Sequence, residues 1–359
     1  MRVTTLKAAV ASAFVFAGTG AFADSISPTS FSATLAIGES VTIHKTVVVS
    51  AGRPTSAKVD VFFLSDTTGS MSGQIGAAKS SAGAIMSDLA GLGDLHFGAG
   101  DYKDIFDSYA YRTDADLTGT TSDVQAGINT WFAGGGGDFP ESGMLALEKV
   151  ASTTAWRDGS RRFIVNFGDA PGHVGDAYGA SEAGTIAALN AVGATVLIGN
   201  TDGTSLSGMN SAVDTEPAGQ ANRIAAATGG SVFTLDASGT DIKDKILAAI
   251  DAEFASYTTV SLAPIGNLPG VSVTTSPAYT GTYTRDIDRT FEFDVTFTAL
   301  TAGVHTFSVD ALVDGGSIAS EADKIDVGGM GAVPLPAGLP LLLSAFAAGG
   351  LVLRRRNRA

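Results

Sequence analysis

Residues 62–71 read FFLSDTTGSM. The mostly apolar run that begins at Val59 and continues into this stretch is typical of a strand buried on both faces of a sheet. It ends on Asp66 and a hydroxyl-rich turn that contains Thr68 and Ser70. Two interpretations are open here: the side chains cap the following helix, or their oxygens bind a hard cation.

Predicted helices and strands alternate on the C-terminal side of this stretch. Apolar residues recur at helical spacing from Gly73 to Leu92. Further strands are predicted at 95–99, 162–167, 194–199 and 231–235, and further helices at 122–132, 141–151, 185–192, 220–227 and 240–257. This alternation predicts an α/β domain of Rossmann-like, doubly wound architecture, with a mainly parallel sheet covered by helices on both faces.

The pattern changes to period two after Tyr257, which indicates antiparallel strands. Residues 32–50 near the N-terminus show a similar alternation, with a turn at Gly38. We hypothesise that residues 28–56 and 258–327 form one smaller, Ig-like β-sandwich into which the α/β domain is inserted. Two separate β pieces are the alternative.

Both ends of the chain carry targeting patterns. The first 23 residues combine Arg2 and Lys7 with an apolar run that closes on Ala-Phe-Ala, the layout of a secretory signal peptide. Near the other end, residues 332–353 contain no charge, and this stretch is long enough for a transmembrane helix. The sequence RRRNRA follows it and would place positive charge on the inner side of the membrane. The chain is therefore expected to be exported and to pass through an inner-membrane intermediate.

The C-terminal stretch VPLPAGLPLLLSAFAAGGLVLRRRNRA, with VPLPA at 333–337, resembles the VPLPA type of PEP-CTERM sorting signal of Gram-negative bacteria. A simple tail anchor is the alternative. The resemblance implies recognition by an exosortase-type enzyme, and delivery to the cell surface or extracellular matrix. The predicted organisation is a signal peptide at 1–23, an N-terminal β segment at 24–56, the α/β domain at 57–257, the sandwich region at 258–327 and the sorting signal at 328–359.

Composition excludes several classes of function. The chain of 359 residues is 45% hydrophobic and 16% charged, which predicts a folded protein, and its lack of cysteine excludes disulfides and thiolate metal sites. Removing the basic residues of the two ends leaves 16 lysines and arginines against 36 acids, a net charge near −20. Such a surface disfavours nucleic acid as a partner.

Three acidic loops follow predicted strands or precede predicted helices, where ligands bind in open α/β sheets. The first contains Asp66, the second is GGGGDFPES with Asp138 and Glu141, and the third contains Asp169 after IVNFG. Each loop by itself has an ordinary explanation, as a cap, a flexible connection or a surface acid. Their occurrence together predicts a cation site, because Mg²⁺ prefers a few carboxylates with hydroxyls and water.

Together, DTTGSM, GGGGDFPES and IVNFGDAPGH resemble the metal-ion-dependent adhesion site of a von Willebrand factor A domain, in its D-x-[ST]-x-S form. The resemblance covers about residues 57–257 and implies Mg²⁺, or Ca²⁺ or Mn²⁺, at the top of the sheet. It implies Asp66, Thr68, Ser70 and Asp169 as ligands.

The second loop departs from the commonest family pattern, which supplies a threonine. DFPES is instead similar to the D-x-P-E stretch of integrin β-subunit domains. Glu141 would approach the ion by that comparison, whereas Asp138 would do so by alignment of GGGGD with the threonine-bearing loop.

The family resemblance implies adhesion, with an acidic side chain of a protein or matrix ligand completing the coordination, and not turnover. A structural matrix protein with a stabilising metal is the main alternative. A metal-dependent hydrolase is a weaker one, because the four histidines are scattered and no HExxH, GxSxG or P-loop motif occurs. His173, Asp101 and Asp104 are expected to support the metal site; 110–116 is expected to be a loop and 284–290 a solvated turn.

Overall fold

The structure is a computed structural model that describes residues 23–137, 139–175, 179–201, 207–212, 217–266 and 268–328. Within these ranges no helix has both the length and the apolar composition needed to cross a membrane. The predicted signal peptide, apart from residue 23, and the predicted sorting signal, apart from residue 328, lie outside the described residues. Asp138 lies outside them as well.

The described strands and α-helices follow one another in this order: β1 (Ser25–Ser27), β2 (Ser30–Ala36), β3 (Ser40–Val49), β4 (Ala57–Asp66), α1 (Ser72–Leu89), β5 (Gly93–Tyr102), β6 (Tyr111–Thr118), α2 (Thr121–Ile128), α3 (Gly143–Thr153), β7 (Arg161–Gly168), α4 (Glu182–Ala191), β8 (Ala194–Thr201), α5 (Gln220–Ala227), β9 (Val232–Leu235), α6 (Ile242–Phe254), β10 (Ser256–Ile265), β11 (Val271–Ser276), β12 (Tyr279–Thr284), β13 (Arg289–Ala299), β14 (Gly303–Val313) and β15 (Gly316–Gly328).

The α/β domain is built on a six-stranded sheet in the order β6-β5-β4-β7-β8-β9. All neighbours in this sheet are parallel except β5 and β6. Alternate residues of β4 face opposite sides: Phe63 packs into the core with α1, α2 and α6, while Phe62 and Leu64 pack into the core with α3, α4 and α5. The predicted doubly wound fold is confirmed, and burial on both faces explains the apolar run of β4.

One prediction within this domain is wrong. Residues 110–116 were expected to form a loop, but β6 is the antiparallel edge strand of the sheet. Its charged side chains conceal the strand pattern: Arg112 Nε lies 2.7 Å from Asp114 Oδ1, and Asp114 Oδ2 accepts a hydrogen bond from Trp131 Nε1 at 2.9 Å. Charged side chains are common on edge strands, where they hinder pairing with other chains.

The β-sandwich contains strands from both sides of the α/β domain in each of its sheets. One sheet has the order β1-β3-β13-β11 and the other has the order β12-β10-β14-β15-β2. β3 pairs antiparallel with β13, whereas β2 pairs parallel with β15. The two strands that alternate in residues 30–49 therefore belong to different sheets, and the α/β domain is inserted between them and the C-terminal strands.

Direct hydrogen bonds join the two parts of the molecule. Ser56 Oγ donates to Ile318 O at 2.7 Å, just before β4 begins, and Ser317 N donates to Gly159 O at 2.7 Å, just before β7. The N-terminal ends of the central parallel strands therefore rest on the sandwich. Their C-terminal ends lie at the opposite pole of the α/β domain.

A lysine and two acids lie inside the sandwich. Lys45 Nζ donates to Glu321 Oε2 and lies 5.8 Å from the centroid of the Phe297 ring. Both carboxylate oxygens of Asp323 lack a hydrogen-bond partner among the described residues. Burial raises the pKa of Asp323 to about 6, against the attraction of Lys45, and lowers the pKa of Lys45 to about 8. The second acid is therefore held in the interior without a cation of its own.

We expect Asp323→Asn to stabilise the protein at neutral pH. The folded-state pKa of Asp323, about 6, lies above the reference value of 3.8. Protonated Asp323 therefore makes its full contribution to the free energy of unfolding below about pH 4, and this contribution is lost as the pH rises through about 6. The variant should gain roughly 2 kcal/mol near pH 8, and its unfolding free energy should change less between pH 4 and pH 8. Urea unfolding across this pH range measures both effects.

The matched control for this prediction is Asp326→Asn, since Asp326 lies on the same strand but is exposed. Its pH profile should follow that of the wild type. If Asp323→Asn destabilises the protein near neutral pH, the buried carboxylate has a stabilising partner and the prediction is wrong.

Candidate metal centre

The first loop of the predicted site begins at the end of the central strand. Asp66 is fully buried, and its Oδ1 accepts hydrogen bonds from Thr68 N at 2.8 Å and Thr68 Oγ1 at 2.7 Å. Its Oδ2 has no partner among the described residues. Ser70 Oγ lies 3.5 Å from Thr68 Oγ1. The structure therefore brings the acid and both hydroxyls of the first motif together.

The alternative interpretation, that this loop caps a helix, has no support in its hydrogen bonds. α1 begins at Ser72, and its N-cap residue, Met71, makes no side-chain capping bond. The short 3₁₀ turn before it, Gly69–Met71, also lacks one, although Thr68 stands at its N-cap. The Thr68 hydroxyl donates to Asp66 instead of satisfying the helix start.

The position of the first loop follows from the strand order. β4 lies between β5 and β7. The strands that follow β4 in sequence are therefore added first on one side of it, at β5 and β6, and then on the other side, from β7 to β9. Ligands of open α/β sheets bind at such a switch point, beyond the C-terminal ends of the strands. Gly168, at the end of β7, allows a close approach: a Cβ there would lie 2.7 Å from Tyr102 Oη and 3.1 Å from Asp66 Cβ.

The second loop brings Glu141 to the first. Gly136, at a φ of +72°, lies between them, since a Cβ at this position would be 2.8 Å from both Glu141 Oε1 and Thr68 Cβ. Glu141 is buried, and its Oε2 has no partner among the described residues. The alternative ligand of this loop, Asp138, lies outside the described residues. The choice between Asp138 and Glu141 stays open, although Glu141 does lie beside the first motif.

The third loop is joined to the second by backbone contacts. Glu141 N donates to Pro171 O at 3.0 Å, and His173 N donates to Glu141 O at 2.9 Å. Gln220, at the start of α5, holds the same loop, because Gly172 N donates to its Oε1 at 2.6 Å and its Nε2 donates to Gly172 O at 3.0 Å. Asp169 is half-buried at the start of this loop.

The acids of the three loops are close enough to perturb one another. Burial raises the pKa of Asp66 to about 7, and the negative charge of Asp169 adds to the shift. Burial raises the pKa of Glu141 to about 9, with further contributions from the negative charges of Asp66, Asp104 and Asp169. Repulsion between buried carboxylates disfavours their ionised forms. A cation between them would reverse this effect.

The residues present fit a hard divalent cation. Among the described residues no group of three or more histidine and acidic side chains has the arrangement of a metal cluster. This applies to Asp66, Glu141 and Asp169 as well, so a cation at the three loops would need the hydroxyls of Thr68 and Ser70, and water, in addition to carboxylates. All of these donors are oxygens, as Mg²⁺ and Ca²⁺ prefer. The observation that favours a cation is that Asp66 and Glu141 each have a buried oxygen without a partner among the described residues.

A network beneath the loops links them to the sheet. The Lys103 ammonium, whose pKa is lowered by burial, donates to the carbonyl oxygens of Thr67, Phe132 and Gly134. It therefore ties the first loop to the second. Lys103 was not identified from the sequence, and its place between two acids in GDYKD is the one signal that could have indicated a structural role.

The residues expected to support the site make specific contacts. Asp101 Oδ2 accepts hydrogen bonds from Thr67 Oγ1 at 2.7 Å and from Tyr109 Oη at 2.6 Å. Asp104 Oδ1 lies 2.7 Å from His173 Nε2. These contacts hold the backbone on either side of the predicted ligands.

The other acidic stretch, residues 284–290, lies far from these loops, in the turn between β12 and β13. Arg289 Nη2 lies 3.2 Å from Asp286 Oδ1, and Asp288 Oδ1 accepts from Ala51 N at 2.7 Å. Arg285 instead pairs with buried Asp24 at 2.9 Å. This stretch therefore serves as a turn whose acids have local partners.

No family model matches the chain, and no curated protein matches it. Solved structures that are similar include a von Willebrand factor type A protein from Catenulispora acidiphila, at 14% identity and a TM-score of 0.42, with 82% of this chain and 71% of that chain covered. The open conformation of the pilus adhesin SpaC from Lactobacillus rhamnosus GG is 12% identical, with a TM-score of 0.39; the match covers 80% of this chain but 45% of the adhesin.

An aerotolerance-related membrane protein from Bacteroides fragilis is 16% identical over 54% of this chain and 99% of its own, with a TM-score of 0.38. Similarities at this level carry no argument about what the chain binds. The fold class rests on the strand order, and the candidate site rests on its own contacts.

Proposed function

We propose that this chain is a von Willebrand factor A-type adhesion protein, exported and sorted to the surface or matrix of a Gram-negative bacterium, that binds acidic groups of a protein or matrix ligand through a divalent cation. One observation carries the proposal. Two buried carboxylates from different loops, Asp66 and Glu141, each have an oxygen without a hydrogen-bond partner among the described residues, and both lie beside the side chain of Thr68.

The chain's own groups suit this role. Asp66 Oδ1 is held by two hydrogen bonds from Thr68, which leaves Oδ2 for an ion. Ser70 is exposed and would bring a neutral donor to the solvent side of the site. Mg²⁺, or Ca²⁺ or Mn²⁺, would supply positive charge and a coordination position for an acidic side chain of the ligand. Neutral hydroxyl donors preserve more of that charge than carboxylates would.

We propose binding and not turnover as the activity. His173, the histidine nearest the acidic loops, is hydrogen-bonded to Asp104, so it is engaged in holding the loops. Export by the signal peptide and handling of the VPLPA-containing tail by an exosortase-type enzyme belong to the same proposal. They are supported by the sequence patterns of the two ends.

The second candidate function is a structural matrix protein whose cation only stabilises the fold. It is favoured by the mutual repulsion of the buried acids, since any cation between them would stabilise the protein. The two functions differ in the effect of Asp66→Ala in the presence of Mg²⁺. Loss of attachment to matrix material with an unchanged fold indicates adhesion, whereas a lower melting temperature alone indicates the structural role.

Calorimetric titration of the full chain with MgCl₂ and CaCl₂ tests the cation site. The wild type should give a binding heat that Asp66→Ala abolishes, since Asp66 is the central acid of the site. Asp138→Asn and Glu141→Gln then separate the two alternatives for the second loop: the true ligand is the one whose replacement weakens binding about tenfold or more. Asp116→Asn, an exposed acid on β6, is the matched control. Equal isotherms for the wild type and Asp66→Ala would refute the proposed site.

A further inference from the structure

Three phenylalanines are exposed around the candidate metal centre. Phe106 is 83% exposed, Phe132 is 75% exposed and Phe139 is 49% exposed. The other large apolar side chains that are comparably exposed among the described residues all lie on the sandwich: Ile37, Ile287, Leu300 and Val304. Exposed apolar groups gathered on one face of a soluble protein mark interaction surfaces.

Each phenylalanine lies in a loop that belongs to the site or contacts it. Phe106 precedes Asp107, whose Oδ2 accepts a hydrogen bond from Gly136 N at 2.8 Å. The carbonyl oxygen of Phe132 accepts from Lys103 Nζ at 3.0 Å. Phe139 stands two residues before Glu141 in the second loop. We call these three side chains the aromatic rim.

The described exposed residues between the rim phenylalanines have small, uncharged side chains. Exposed positions on the same loops are occupied by glycine and serine: Gly69, Ser70, Ser72, Ser108, Gly135 and Gly137. The described acids of these loops are buried or half-buried, and no charged side chain among the described residues of 67–72, 105–109 and 132–142 is exposed. The described residues of these loops therefore offer a partner no exposed side-chain charge, and a cation at the proposed site would supply one.

We propose that the aromatic rim recognises an extended peptide segment in which one acidic residue is flanked by large apolar side chains. This inference rests on the proposed cation site. The single acid complements the cation, and the apolar neighbours pack on Phe106, Phe132 and Phe139. Aromatic side chains suit such contacts because they bury a large area and lose little conformational freedom on binding.

Charge argues against a membrane as the partner. Anionic lipid headgroups are usually recognised by lysine and arginine side chains around the apolar groups. The exposed positions of these loops carry none, and the chain has a formal net charge of −14. A peptide with one acid avoids the repulsion that an anionic surface would meet.

The experiment measures fluorescence anisotropy of labelled peptides with the full chain in excess MgCl₂. The probes are Gly-Phe-Asp-Phe-Gly, Gly-Ser-Asp-Ser-Gly and Gly-Phe-Asn-Phe-Gly, each acetylated and amidated. The wild type should bind the first about tenfold more tightly than the second, and should not bind the third. The triple variant Phe106→Ser/Phe132→Ser/Phe139→Ser should lose this preference and still bind Mg²⁺ in calorimetry.

Two further proteins make the result specific. Phe106→Ser alone should lose part of the preference, and it guards against misfolding of the triple variant. Leu300→Ser changes an exposed apolar residue of the sandwich and should behave as the wild type. Equal affinity of the wild type for the first two peptides, or an unchanged preference in the triple variant, overturns the rim proposal.

The same measurements separate this proposal from the one it rests on. If the wild type binds no Mg²⁺ in calorimetry, the cation site itself fails. If Mg²⁺ binds but the wild type prefers vesicles of phosphatidylcholine and phosphatidylglycerol to every peptide, and the triple variant loses vesicle binding, the partner is a membrane and the peptide proposal is overturned.

Discussion

Asp66→Asn should be more stable than the wild type without divalent cations and should gain no stability from Mg²⁺. Asparagine can keep the hydrogen bonds that Oδ1 accepts from Thr68, at 2.8 and 2.7 Å, while it removes a buried negative charge. Burial and the charge of Asp169 raise the pKa of Asp66 to about 7, so ionisation near pH 8 costs free energy. We expect a gain of roughly 2–4 kcal/mol in EDTA.

The response to Mg²⁺ should narrow or close the difference in stability between the two proteins. A ligand at about one hundred times its dissociation constant stabilises the folded state by about 2.7 kcal/mol. The wild type should show this gain and Asp66→Asn should not. Thermal unfolding of both proteins in EDTA and in excess MgCl₂, near pH 8, provides the comparison.

Asp60→Asn is the matched control, because Asp60 is equally buried on the same strand but has a full set of partners. It accepts from Arg157 Nε at 2.6 Å, Arg157 N at 2.9 Å and Ser160 Oγ at 2.7 Å. This variant should lose about 1–3 kcal/mol and keep the wild-type response to Mg²⁺. A Mg²⁺-dependent rise in the melting temperature of Asp66→Asn as large as that of the wild type would remove Asp66 from the proposed site.

Lys45→Met should destabilise the sandwich by about 3–5 kcal/mol, since it leaves two buried acids without a cation. Lys45 and Glu321 are fully buried and Asp323 nearly so. The triple variant Lys45→Met/Glu321→Leu/Asp323→Leu should recover most of this loss, because apolar side chains of similar volume often replace a buried ion pair without penalty. Urea unfolding followed by circular dichroism measures both changes.

Lys324→Met is the control for this series, because Lys324 lies on β15 beside Asp323 but is exposed to solvent. It should change the unfolding free energy by less than about 0.5 kcal/mol. If the triple variant is as unstable as Lys45→Met alone, the prediction is wrong, because the three ionic side chains then stabilise the sandwich more than their apolar replacements do.

The fold of the α/β domain was accessible from local pattern. The apolar run of β4 and the helical spacing of α1 depend on residues close in sequence, and both elements are present. β6 was missed because it has few apolar residues: Arg112, Asp114 and Asp116 occupy alternate positions of its eight residues. Their place on an edge strand becomes visible only when the sheet is assembled.

The candidate site was accessible only in part. Asp66, Thr68 and Ser70 stand within five residues of one another, so one turn can bring them together. The approach of Glu141 to Thr68 depends on the conformation of Gly136 and on the backbone contacts of the third loop. The role of Gln220 has no local sequence signal, and the only local signal for Lys103 is its place between two acids, because the partners of both residues lie tens of residues away.

Periodicity and turn chemistry act over a few residues, so the amino-acid order was enough to specify a doubly wound domain, the strands around it and the first acidic motif. Strand pairing acts over hundreds of residues. It decided that β2 joins β15 while β3 joins β13, and that β4 lies between β5 and β7, so that the three acidic loops lie together beyond the strand ends. Contacts of this kind are set by the register of the sheets and by packing between layers, which no short stretch of sequence contains.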